Sequence, residues 1–285
     1  MKNRFVHSYW SKPALNERWE VDKNTQTITN MWYFATSVAY LKKLNQEIVL
    51  HTDSFGKKLL DHIPYDQICL TLDSMPEWID VSLWASGKMV AMESESLNSI
   101  HIDGDVFIKT KNCLDKIVNS DADVVVQSLE HLNEKVIAYN EAMDSMKHLR
   151  FPEGTDKSLI HAYNTGLLCF KSPEFKKLFL DTYFGMAKVI SKNVICTDTY
   201  RANKFIAPDI IIEQKFMYDL SKEYKVDTLL NSKHESATNI GYQHVIGTHK
   251  YPQISNCKRV LKMLDPELYK RCELKEHAFL NGEIR

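Results

Sequence analysis

Short apolar strands alternate with helical stretches along most of the chain, and this alternation constrains the fold more than any other feature of the sequence. Arg4–Tyr9, Glu47–Thr52, Gln67–Leu70, Asn98–Asp103, Asp123–Gln127 and Tyr163–Phe170 read as strands. The run Val124-Val-Val126 is the most β-branched of them. Between them, Thr29–Leu44 keeps Met31, Phe34, Ala35, Val38, Ala39 and Leu41 on one face at the 3.6-residue period. Further helices are predicted over Phe55–His62, from Pro76 towards Met92, and over Lys111–Asn119, Pro173–Ile190, Asp209–Tyr224 and Ser255–Cys272. Alternating βαβ segments imply an α/β fold with a mostly parallel sheet and helices on both faces.

The chain has 285 residues, enough for one large α/β domain or two small ones. Only 9 Gly and 8 Pro occur, no low-complexity linker divides it and no repeat is visible, so one domain over residues 1–285 is expected. Its α/β core would run to about residue 230. From there His, Asn, Gly and Thr dominate, and residues 231–285 read as a segment returning across the active face, a lid, followed by a last helix.

Lys plus Arg number 36 against 37 Asp plus Glu, a net charge of −1, which argues against nucleic acid as a partner. No apolar run approaches the ~18 residues of a membrane span. The opening Met1-Lys-Asn-Arg-Phe-Val-His7 lacks the apolar stretch of a signal peptide. Six cysteines (69, 113, 169, 196, 257 and 272) show no Cys-x-x-Cys and read as scattered buried thiols of a reducing compartment. Collagen, coiled coil, disulfide scaffold, membrane protein and disordered chain are excluded, and a cytoplasmic enzyme is expected.

Two Asp-x-Asp pairs stand out, Asp103-Gly-Asp105 and Asp121-Ala-Asp123, where composition alone predicts about one. Asp121 and Asp123 precede a strand, where acids solvate a turn. Asp103 and Asp105 follow one, and ligands of open α/β sheets collect at the carboxyl ends of strands. Two carboxylates so placed can reach a hard divalent cation, with Gly104 letting backbone approach it. A solvated turn is the competing reading.

Here the residues carry a resemblance. Trp84 and Gly87-Lys88, followed by His101-Ile-Asp-Gly-Asp-Val-Phe-Ile108, resemble the metal-binding region of nucleotide-sugar-dependent glycosyltransferases of the GT-A type. The nearest flavour is an uncharacterised bacterial family allied to the retaining glycogenin and lipopolysaccharide galactosyltransferase group. Tyr163-Asn-Thr-Gly166 is similar to the Asn-x-Gly strand beside the sugar site, and Glu213-Gln214 to an acidic-Gln motif near the reacting carbon. His244-Val-Ile-Gly247-Thr-His-Lys250 is similar to a late His-x-x-Gly-x-x-Lys motif, a spacing this composition produces by chance about once in thirty chains. The likeness runs in order over roughly residues 4–255, and Lys215 stands where the family motif commonly continues with an acid.

The resemblance implies a single GT-A, Rossmann-like domain that moves a sugar from a nucleoside diphosphate, a UDP-sugar by analogy, to a glycan or lipid-linked acceptor with retention. Asp103, Asp105 and His244 would hold Mn²⁺ or Mg²⁺, with His249 as the competing ligand. Lys250 would contact the diphosphate and Gly247 would turn the chain against it. Asn164 and Gly166 would face the sugar, Glu213 would orient donor hydroxyls and Gln214 would lie by the anomeric carbon. Lys88 would touch phosphate or sugar, and Tyr9 would stack on the base. Asp53 has two equal readings, a nucleotide contact or a helix cap. The acceptor would be reached from the cytoplasm at the inner face of the membrane, without a transmembrane segment. Two alternatives remain: a non-catalytic nucleotide- or sugar-binding protein of the same fold, and a metal-dependent phosphohydrolase. The latter rests on Asp103-Gly-Asp105-Val, although Phe107 holds the place of its usual Thr or Val.

Overall fold

A computed structural model describes residues 2–16, 21–132, 137–195, 207–230 and 237–284. Its main sheet has seven strands in the order β3-β2-β1-β4-β7-β6-β8. They are β1 (Arg4–Tyr9), β2 (Glu47–Thr52), β3 (Gln67–Cys69), β4 (Ile100–Ile102), β6 (Val124–His131), β7 (His161–Phe170) and β8 (Val226–Leu230). The pairs β1/β2, β2/β3, β1/β4 and β6/β8 are parallel, whereas β7 runs antiparallel to both β4 and β6. A second, two-stranded antiparallel sheet joins β5 (Val106–Ile108) to β9 (Tyr242–His244). The fold is α/β and Rossmann-like, with a mostly parallel sheet.

Helices cover both faces. The consecutive valines show why: Val125 enters one core, while Val124 and Val126 enter the other. Leu167 and Leu168 divide in the same way, so an apolar run without alternation is what a strand between two cores requires. One core holds α2 (Lys23–Lys43) and the C-terminal helices α10 (Ile254–Leu264) and α11 (Pro266–Leu280). The other holds α4 (Ser86–Ser94), α6 (Ile137–Met146), α7 (Pro173–Asn193) and α8 (Phe216–Leu220).

Several elements differ from expectation for physical reasons. Helix α2 starts at Lys23 because Asp22 caps it, accepting from the N–H groups of Asn24 and Thr25 at 3.0 Å each. It is buried nearly all round rather than on one face, since Trp32, Tyr33 and Phe34 are all inside. Its outer side is covered by the C-terminal pair: Trp32 Nε1 donates to Glu276 Oε2 at 2.8 Å and its ring lies 5.3 Å from that of Tyr269. The tail therefore divides, with β9 and residues 247–250 at the strand ends and α10–α11 on the back of α2. No helix begins at Pro76. Asp80 Oδ1 takes the N–H and hydroxyl of Ser82 in a local turn, and α4 starts only where Asp209 Oδ2 accepts from Ala85 N at 2.6 Å. The stretch expected as one helix over Asp209–Tyr224 contains a π turn at Ile211–Lys215 ahead of α8.

Cys113, Cys169, Cys257 and Cys272 are buried free thiols, each pushed up to about 12 chiefly by burial, and Cys69 is a half-buried one. Cys196 lies outside the described residues.

Candidate metal centre

Asp103 follows β4, and Asp105 leads into β5. A glycine separates them because Phe34 lies against the turn: a Cβ on Gly104 would stand 2.4 Å from its ring. Backbone bonds hold the turn, with Asp103 N donating to Gly166 O and Val106 N to Asp103 O, both at 2.9 Å. Strand β9 then pairs with β5 and sets His244 opposite Val106, while Val245 N donates to Asp105 O at 3.1 Å. One ligand atom from each of Asp103, Asp105 and His244 lies within 4.8 Å of the others. Among the described residues this is the one such group, and His249, exposed on the following turn, is not part of it.

Gly166 makes room for the imidazole. A Cβ there would stand 2.4 Å from His244 Cε1 and 2.7 Å from Gln127 Oε1. Gln127 Oε1 accepts from Tyr242 OH and, at the same 2.7 Å, meets His244 Nδ1. An amide oxygen that accepts from both keeps the proton of His244 on Nδ1 and leaves the Nε2 lone pair free. That Nε2 lies 3.4 Å from Asp105 Oδ1. Orientation of a metal-binding histidine by a second hydrogen bond is a recurrent requirement of such sites. Sequence reading missed Gln127, whose one visible signal is a polar residue closing a run of valines.

Two ammonium groups complete the site. Lys250 Nζ is 3.3 Å from Asp105 Oδ2. Lys88 Nζ lies 2.9 Å from Asp103 Oδ1, 2.6 Å from Glu213 Oε1 and 3.0 Å from Thr165 O, so its three protons are engaged within the protein. Burial would lower the Lys88 pKa, but Asp103 and Glu213 on either side raise it above the usual lysine range. The two aspartates split. Desolvation pushes Asp103 up against the opposing pull of Lys88, whereas for Asp105 the Lys250 ammonium leads the interactions that outweigh burial and hold it below the usual carboxylate range. His101, buried and kept neutral first by desolvation and then by Lys88, bonds Ser8 Oγ through Nε2 at 2.9 Å. Its Nδ1 has no hydrogen-bond partner and faces Asp103 Oδ1 at 3.9 Å.

The remaining expected residues fall into two sets. Glu213 lies on the π turn and is buried, its Oε1 also accepting from Thr165 Oγ1 at 2.6 Å. Gln214, next on that turn, accepts from Tyr139 OH at 2.6 Å. Asn164 is committed to the protein, accepting from Gly166 N at 2.9 Å and donating to Glu130 Oε1 at 3.0 Å. Gly247 adopts a φ of +64°, which glycine tolerates at a turn. Lys215, next after Gln214, is buried and paired with Asp219.

Two expected nucleotide contacts are used otherwise. Tyr9 is 5% exposed with its ring edge-on to Phe34 at 5.6 Å, so it is a core residue and not a stacking platform. Asp53 takes the cap reading: Oδ1 accepts from Gly56 N at 2.7 Å, and Oδ2 accepts from Ser11 N at 2.8 Å and Ser11 Oγ at 2.7 Å. Within the tail expected to be a lid, the chain is anchored: Ile240, Tyr242 and Val245 are buried and Tyr33 OH donates to Lys250 O at 3.1 Å.

The donors present suit a divalent cation, with hard carboxylate oxygens, one imidazole nitrogen of fixed tautomer and a cradle that admits no side chain at 166. An open α/β sheet with such a group at its strand ends defines a Rossmann-like protein with a candidate cation centre. The chain belongs to a family of unknown function (DUF6734), whose pattern matches residues 1–273. No curated protein matches it.

Proposed function

We propose that the protein is a metal-dependent glycosyltransferase that moves a sugar from a nucleoside-diphosphate sugar, a UDP-sugar in the first instance, to a glycan or lipid-linked acceptor. The observation that carries this reading is that His244 and Lys250 reach Asp105 across a sequence separation of up to 145 residues. The chain thus closes its late His-x-x-Gly-x-x-Lys segment onto the acidic turn.

The charges support a diphosphate. Asp103, Asp105 and Glu213 against Lys88 and Lys250 leave one net negative charge with neutral imidazoles. A divalent cation, Mn²⁺ or Mg²⁺, would turn that excess positive and stabilise the negative charge of the leaving diphosphate. Lys250, partly buried beside Asp105, would exchange its carboxylate contact for a phosphate. Lys88 acts as a positioning residue, holding Asp103 and Glu213 in one network rather than meeting the donor. Glu213 and Gln214 would present carboxylate and amide towards the sugar from the π turn, a helix irregularity frequent at functional sites. Retention is the stereochemical outcome expected from the resemblance. Among the described residues no helix is long and apolar enough to cross a membrane. The proposed setting is the cytoplasm, with a lipid-linked acceptor met at the membrane's inner face.

The test is a thermal-shift panel of nucleoside diphosphates and nucleotide sugars with and without Mn²⁺, followed by product analysis with the strongest donor. Stabilisation by UDP only with Mn²⁺, and transfer or hydrolysis of the matching sugar nucleotide, is expected. Equal stabilisation without metal and no turnover would replace the transferase with a binding module. Hydrolysis of p-nitrophenyl phosphate would replace it with a phosphohydrolase.

A further inference from the structure

The hairpin that carries the metal centre has a second side. Along β9, Gln243 and Val245 flank His244, and alternation sends them to the opposite face. On β5, Phe107 lies opposite Gln243 in the same register. That face walls a cavity of about 180 Å³, closed by the side of α2 and the start of α10.

The cavity has an apolar floor and a cationic rim. Tyr33, Phe107, Val245 and Cys257 are buried at its base, and the Tyr33 and Phe107 rings stack within 8° of parallel at 5.8 Å. Lys109 and Arg259 stand at the rim, together with the amides of Gln243, Gln253 and Asn256. Among the described lining residues there is no carboxylate. Lys109 Nζ donates to Gln243 Oε1 at 2.6 Å and lies 5.6 Å over the Tyr40 ring, while Arg259 donates to Asn256 Oδ1 at 2.8 Å. Both cations are thus held at the mouth by neutral partners, with no acid bonded to either in these contacts. The volume is close to that of the ~150 Å³ cavities known to take up benzene, room for one ring with a charged substituent.

We propose that this cavity is a binding site for a small aromatic carboxylate, its ring on the Tyr33–Phe107 floor and its carboxylate between Lys109 and Arg259. The planar guanidinium matches a carboxylate's two oxygens, and the floor rewards a flat apolar body that a bare inorganic anion lacks. The site is separate from the donor centre but shares its hairpin: Tyr33 bonds the Lys250 carbonyl and Val245 bonds the Asp105 carbonyl. An occupant would therefore stiffen the segment that bears His244 and Lys250.

The test uses benzoate as probe, with phenol and inorganic phosphate as ring-only and charge-only comparisons. Titrations are followed by NMR and calorimetry on the full chain in EDTA, so that the outcome does not depend on the metal reading. Benzoate is expected to bind saturably and at least about tenfold tighter than either comparison, and to slow amide exchange over residues 242–250. The Lys109→Gln, Arg259→Gln double variant, altered only at two exposed side chains, should keep its melting temperature and lose at least about tenfold in benzoate affinity. No saturable benzoate binding up to about 10 mM, phosphate binding as tight as benzoate, or an undiminished affinity in the double variant would each overturn the proposal.

Discussion

Asp103-Gly-Asp105 and Asp121-Ala-Asp123 share residue types and spacing, yet the fold uses them in opposite ways. The first pair leaves β4 and meets an imidazole and two ammonium groups from elsewhere in the chain. The second enters β6 and is spent on local carpentry. Asp123 Oδ2 accepts from Lys225 N at 2.9 Å, its carbonyl accepts from Lys171 N and Ser172 N, and Asp121, 83% exposed, pairs with Lys225 on the surface. The difference lies in what returns to them. The lead into β8 offers the second pair one backbone N–H and a surface lysine, whereas β9 and the turn after it bring a histidine and a lysine to the first. A motif of two carboxylates acquires chemistry only from the segments that the topology delivers to it.

The comparison can be broken at several strengths. Asp105→Asn should lower Mn²⁺ affinity roughly a thousandfold, beyond the 10- to 100-fold typical of residues that only orient ligands, with the circular dichroism spectrum unchanged. Calorimetric titration checks this, and retained affinity would equate the two pairs. A second effect bounds the pH at which they can be compared. Glu95 is held at about 2 because hydrogen bonds from Arg4 and His51 outweigh its burial, and buried His7 is held at about 3 by desolvation. Both bind protons more readily unfolded than folded. Their stabilisation is therefore complete above pH 6.5, declines below it as His7 titrates in the unfolded chain, and falls further from 4.5 towards about 2 as Glu95 does. Glu95→Gln should flatten that limb of urea-unfolding free energy against pH.

A smaller effect tests the cradle: Gly166→Ala should displace the His244 ring and cost about tenfold in Mn²⁺ affinity, with a shift of the His244 imidazole resonances. Smallest of all, Asp121→Ala should leave both the midpoint of a denaturant melt and Mn²⁺ binding unchanged.

Much of this was legible in the sequence, and the residues show where legibility stops. Strand ends are local, so the position of Asp103 and Asp105 could be read from the chain, and the rare spacing of His244 and Lys250 survives any error in the loops between. Asp53 was ambiguous because a carboxylate ahead of a helix caps it whether or not a ligand is near, and only Ser11, 42 positions away, decides its second oxygen. Tyr9 misled because an aromatic at a strand end is a core residue or a platform according to what covers it, here Phe34. Glu213 and Gln214 stand out only through the resemblance, since nothing in the local residues announces a π turn. Gln127 was invisible, because its importance lies wholly in two partners more than a hundred residues later.

That distance has a consequence during synthesis. Asp105 leaves the ribosome 145 residues before Lys250, a delay of roughly 7 to 29 s at ~5–20 residues per second. For that interval the acidic turn has neither β9 beside it nor the imidazole and ammonium that later neutralise it. Lys88, made before the turn, can pair with Asp103 throughout that interval, whereas Asp105 gains its own cation only when Lys250 emerges.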